Sequence, residues 1–211
     1  MNVPLLLFQL FVFLFSIIIH EVSHGLVALR LGDTTAKDAG RLTLNPWPHL
    51  ELFGSFILPF MLFFASGGAL VFGWAKPVPY NPNNLKNPKV GAGLIAAAGP
   101  ISNLSIAFLF GLIVRFGMPL LGVVGNETTV ILFHLIILVN ILLAVFNLVP
   151  IPPLDGSKIL FAFLPRRAEG ARIFLERYGL ILLLFFIFYG FRLIQPIIFG
   201  IYRLFAGAAV L

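Results

Sequence analysis

The sequence predicts an all-α polytopic membrane protein, with four transmembrane helices, a re-entrant apolar segment and short extended segments near the active site. Three observations carry this. Of the 211 residues, 60% are hydrophobic and 10% charged, whereas soluble domains average about 25% charged. Mean hydropathy is +1.04. Apolar runs of roughly 20 residues or more, the length that crosses a bilayer, recur along the chain. A soluble fold of this size has too little interior for so much apolar surface, so lipid is the solvent for most of it.

The first spanning helix is expected over residues 4–30. Met1–Ile19 carries no Lys or Arg and no small-residue cleavage site, so it reads as a retained helix and not as a signal peptide. The polar stretch 31–51 contains Arg41-Leu42-Thr43-Leu44, whose alternation predicts a short strand. Residues 52–73 are apolar but include Pro59, Gly67-Gly68 and Gly73, which permit a break. Lys76-Pro77-Val78-Pro79-Tyr80, within 74–90, is extended by its prolines and suits only a sheet edge. Further spanning helices are expected over 91–117, 129–149 and 175–200, joined by 118–128 and 150–174. With no internal repeat, 1–211 reads as one membrane domain.

There are no cysteines, which excludes disulfides and Cys-ligated metals. The net charge of +6 does not point to nucleic acid, because Lys and Arg in a membrane protein first report orientation.

The chemistry starts at His20-Glu21-Val22-Ser23-His24. Residues four apart share a helix face, so both imidazoles reach one Zn²⁺ at ~2.0–2.1 Å. Glu21 lies beside the metal, where it can take a proton from a bound water whose pKa zinc lowers towards ~7. Chance is the competing explanation, but ionisable residues inside an apolar span are costly and need compensation. A catalytic zinc usually takes a third protein ligand and keeps one open position. Asp155 follows Asn147-Leu148-Val149-Pro150-Ile151-Pro152-Pro153-Leu154 and precedes Gly156. The prolines force extended backbone at the membrane boundary, tolerated only where protein or water covers it. An Asp there is either a helix cap or that ligand.

These motifs, with Ala98-Gly99-Pro100-Ile101-Ser102-Asn103 in a middle helix and Gly73-Trp74-Ala75-Lys76-Pro77-Val78-Pro79, resemble the site-2 protease family. The match spans about His20 to Gly156 and is similar to the compact bacterial and archaeal branch without PDZ or CBS domains. The resemblance implies an intramembrane zinc metalloprotease of a prokaryotic cell membrane that cuts membrane-spanning or signal-peptide-like substrates. It implies His20, His24 and Asp155 as zinc ligands, Glu21 as the catalytic base and Asn147 as a holder of substrate or oxyanion. From its residue type alone, Asn147 equally suits a helix-end hydrogen bond or donation to a developing oxyanion.

Among other polar residues, Asn103 and Asn140 read as interhelical packing, His134 as an interhelical hydrogen bond and His49 as a surface residue. Arg115 and Arg192 are expected to snorkel or pair internally. The ligands must meet at one depth, so helices 4–30 and 129–149 should run in one direction with 91–117 opposed. Residues 52–73 would then re-enter. Every basic loop falls on one face, the cytoplasmic one, towards which the site opens. Segments 41–44 and 76–80 are expected to pair with an unwound substrate as an added strand. Two other readings compete: a CAAX-type membrane metalloprotease, and a scaffold holding structural zinc. Oligomeric state is not legible.

Overall fold

The structure, a computed structural model, describes residues 3–51, 54, 57, 60, 61, 64, 75–117 and 127–207. Its helices are α1 (Val3–Arg30), α2 (Thr35–Asp38), α3 (Pro88–Leu112), α4 (Glu127–Asn147), α5 (Asp155–Phe163), α6 (Glu169–Phe185) and α7 (Phe191–Ala206). A π-turn over Ile113–Gly117 prolongs α3, and another over Phe186–Gly190 joins α6 to α7. Among the described residues, four units are therefore long and apolar enough to cross a membrane: Val3–Arg30, Pro88–Gly117, Thr128–Asn147 and Glu169–Ala206. The protein is an integral membrane protein.

Local chemistry sets the helix ends. The Asn87 side chain accepts from Val90 N–H at 3.2 Å and Pro88 opens α3, a cap with proline in the first turn. Helix α6 starts at Glu169 and not near residue 175. Arg172 pairs with Glu169 at 3.5 Å and Glu176 at 2.9 Å, so charged pairs one turn apart extend the helix beyond its apolar part.

Three helices meet around the site. Asn103 on α3 donates to the Ser16 carbonyl on α1, while His24 meets the Ile95 carbonyl nearer the start of α3. The two helices are thus antiparallel. Asn140 on α4 donates to Ser16, and Asp155 beyond the end of α4 lies against His20 and His24. Helices α1 and α4 therefore run in the same direction, as expected. Asp33 after α1 accepts from Asn81 N–H before α3 at 2.7 Å, so both connections lie on one face. The re-entrant reading of 52–73 falls mostly outside the described residues.

Two expectations fail here. No strand forms among the described residues, and Arg41–Leu44 is irregular. Arg41 turns inward to donate to the Lys76 carbonyl at 2.6 Å, so its alternation with Leu42 reflects a loop fastening and not a pleat. His49 is fully buried. Its Nε2–H donates to the Thr43 carbonyl at 2.8 Å, and its own carbonyl accepts from Lys76 N–H at 2.8 Å.

The core between α3, α4 and α7 is built on Ala107, Ile137, Ile141, Ile198 and Tyr202. His134 on α4 bonds Tyr202 on α7 as expected, and Arg115 donates to the Leu204 carbonyl at 3.1 Å. Arg192 is exposed. Exposed Phe11, Leu109, Phe188 and Leu193 face outward, where lipid covers them.

Candidate metal centre

His20 and His24 stand one turn apart on α1, with ring centroids 4.7 Å apart at 89°. Asp155 opens α5, and its Oδ2 lies 3.0 Å from His20 Nε2 and 3.1 Å from His24 Nε2. Glycine makes both approaches possible. A Cβ on Gly156 would sit 2.2 Å from the Leu148 carbonyl oxygen, so only Gly lets α5 start so close under the end of α4. A Cβ on Gly99 would sit 2.4 Å from His20 Nε2 and 2.6 Å from His24 Cε1.

The ring tautomers follow from the partners. His24 Nδ1 is 2.6 Å from the Ile95 carbonyl oxygen, and His20 Nδ1 is 2.6 Å from Asn103 Oδ1. Both partners only accept, so each Nδ1 carries hydrogen. In a neutral ring Nε2 is then a lone pair. Burial alone would raise the Asp155 carboxyl, but hydrogen bonds and positive charge at the two facing ring nitrogens outweigh it and lower the group; with both Nε2 bare, that role falls to a cation between them. Asp155 is thus a carboxylate. Three lone-pair atoms converge within hydrogen-bonding distance, an arrangement that costs free energy unless a cation lies among them. Two neutral nitrogens and one carboxylate oxygen match the donor set of a catalytic zinc with one open position.

Glu21 is set to one side. Its ligand atom and those of His20 and His24 all lie within 4.8 Å of one another, and its Oε2 accepts from Val78 N–H at 2.8 Å. A cavity of about 140 Å³ opens here, lined by His20, Glu21, His24, Asp155, Pro77, Val78, Tyr80, Asn147 and Lys158 among others. Asn147 gives one N–H to the Leu143 carbonyl at 2.9 Å, which leaves its amide a second. Lys158 Nζ lies 3.7 Å from Asp155 Oδ1.

All five residues singled out from the sequence thus line one cavity. Asn103, part of the Ala98–Asn103 motif and expected to serve interhelical packing, bonds His20 directly. The available signal was its spacing: Asn103 lies four residues after Gly99, on the same face of α3.

Known proteins match this chain. YwhC of Bacillus subtilis is 39% identical over 173 residues, covering 80% of this chain and 74% of its own length. The chain belongs to peptidase family M50. The family's sequence profile matches residues 118–186, which include Asn147 and Asp155. MJ0611 of Methanocaldococcus jannaschii is 31% identical over 166 residues, covering 72% of each chain. Rip2 of Mycolicibacterium smegmatis is 29% identical over 170 residues, covering 80% of this M50 chain and 62% of its own. All three carry the words zinc metalloprotease in names that mark the activity as inferred. No solved structure matches significantly.

Proposed function

We propose that this M50 protein is an intramembrane zinc metalloprotease that hydrolyses peptide bonds of membrane-spanning or signal-peptide-like segments. The observation that carries the proposal is the convergence of His20 Nε2, His24 Nε2 and Asp155 Oδ2 beside Glu21. His20, His24 and Asp155 would hold a zinc ion, whose Lewis acidity would bring the pKa of water down to about 7. Glu21 takes a proton from the attacking water and passes it to the departing amine. The second N–H of Asn147 is left to donate to the developing charge on the carbonyl oxygen.

Eleven of the 14 Lys and Arg lie in 30–51, 74–90 and 150–177, the connections at the metal end of the helices. The positive-inside rule makes that end cytoplasmic, so the site opens towards the cytoplasm of a prokaryotic cell. Substrate with weakened helix suits the site, because an intact helix hides its carbonyls. Strand addition along 76–78 has little support. Lys76 N–H goes to the His49 carbonyl, the Lys76 and Pro77 carbonyls to Arg41, and Val78 N–H to Glu21.

A CAAX-type enzyme would need a different downstream ligand from Asp155. A structural zinc would want four protein ligands, and three converge here besides Glu21. The test is cleavage of single-span reporter peptides by wild type and Glu21→Gln, with zinc quantified in both. Cutting by wild type alone, with zinc in both, supports the proposal. Zinc in neither would sink it.

A further inference from the structure

We propose that Asn103, itself fixed by Ser16 and Asn140, is the positioning residue that sets the tautomer and aim of His20; this rests on the metal-site reading above. Asn103 and Asn140 are both fully buried. Asn103 Oδ1 lies 2.6 Å from His20 Nδ1, and its Nδ2 donates to the Ser16 carbonyl at 3.2 Å and to Asn140 Oδ1 at 2.9 Å. Asn140 Nδ2 donates to the Ile136 carbonyl at 2.9 Å and to Ser16 Oγ at 3.0 Å.

Two main-chain carbonyls fix both amides. The Ser16 carbonyl only accepts, so Asn103 must turn its NH₂ there and its oxygen to His20. The Ile136 carbonyl does the same for Asn140, which turns its oxygen to Asn103. Reversing either amide sets two acceptors against each other. The direction of donation thus runs unbroken from His20 Nδ1–H through both amides to the α4 backbone. His20 is left with Nε2 bare and pointed at Asp155 Oδ2. The network joins α1, α3 and α4 in a buried setting, where an unmade hydrogen bond is expensive.

Such outer partners hold ligand orientation, and their loss typically weakens metal binding about 10–100-fold. The test measures zinc affinity by chelator competition on the full-length protein: wild type, Asn103→Leu, Asn103→Asp and Asn140→Leu. Asn103→Leu should bind zinc about 10–100-fold more weakly. Asn103→Asp keeps an acceptor on Nδ1 but sets its second oxygen against the Ser16 carbonyl and Asn140 Oδ1, so it should recover part of the affinity, and Asn140→Leu should fall between wild type and Asn103→Leu. A residue that merely packs would not separate Leu from Asp. The ¹⁵N spectrum of the His20 ring in zinc-loaded wild type and Asn103→Asp gives a readout independent of whether the Leu variant folds. Hydrogen on Nδ1 in both is expected, and zinc on Nδ1 in wild type would overturn the proposal. Equal affinity in wild type and Asn103→Leu overturns the role of Asn103 alone, whereas wild type without zinc overturns the metal-site reading as well.

Discussion

The main-chain N–H of Val78 donates to Glu21 Oε2 across 57 residues of sequence, at 2.8 Å. One carboxylate oxygen of the proposed base is thereby held, and the other has no hydrogen bond among the described residues and can meet water. The segment that does this is fastened by Arg41, which donates to the carbonyls of Lys76 at 2.6 Å and Pro77 at 3.4 Å. Arg41→Met keeps the apolar stem and removes both bonds. A hydrogen bond to a charged group contributes about 1.5 kcal/mol or more, so kcat/KM should fall about tenfold. Zinc content should not change. Unchanged kcat/KM in the variant would separate Arg41 from Glu21.

Gly99 faces the two imidazoles with no room for a methyl group. In Gly99→Ala the added carbon would meet His20 Nε2 at 2.4 Å, and the ring would have to leave its place opposite Asp155. Zinc affinity should drop by about tenfold or more, while helix content by circular dichroism stays near wild type. Full zinc occupancy at wild-type affinity would show that the rings have space the geometry denies them.

What the sequence disclosed and what it hid follow from the range of the forces involved. Apolar runs announce spanning helices because lipid demands them locally, and the four spans lie close to where hydropathy put them. Helix α6 was expected six residues late because its first turns are held by Glu169, Arg172 and Glu176, which hydropathy discounts. His20, Glu21 and His24 were legible because one helix turn presents them together. The burial of His49 was not, since it depends on Thr43 and Lys76, and the second of these lies beyond the 52–73 stretch. Asn103 was legible as polar and intramembrane, but its partner His20 is 83 residues away. No local pattern names that partner.

Tyr202 and His134 form a buried pair between α7 and α4, and His134 Nε2 has no partner among the described residues. Neither residue lines the metal cavity. Tyr202→Phe would leave the imidazole without its remaining bond, at a cost of about 1–3 kcal/mol for a buried unsatisfied group. Thermal unfolding in detergent should shift to lower temperature. Zinc affinity and reporter cleavage at permissive temperature should match wild type, and a loss of zinc would mean that the pair reaches the site after all.

Asp33 fastens the other end of the segment that carries Val78. It is fully buried and accepts from the Thr35 hydroxyl at 2.5 Å, Asn81 N–H at 2.7 Å and the Asn84 amide at 2.7 Å. Burial alone would raise its carboxyl, but these donors outweigh burial and lower it from the ordinary 3.8. A depressed folded value means that the unfolded chain binds the proton first on acidification. The stabilisation is therefore complete above 3.8 and is lost as pH falls through the lowered folded value. Hydrogen exchange at Asn81 and Asn84 should stay slow at neutral pH and accelerate only in that acid window, once intrinsic exchange is corrected for pH. In Asp33→Asn one acceptor oxygen becomes a donor facing donors, so protection should be low at neutral pH and nearly flat into acid. Equal acid dependence in both proteins would assign the effect to another carboxylate. Because the same segment aims Glu21, the variant should also lose kcat/KM at neutral pH while keeping its zinc.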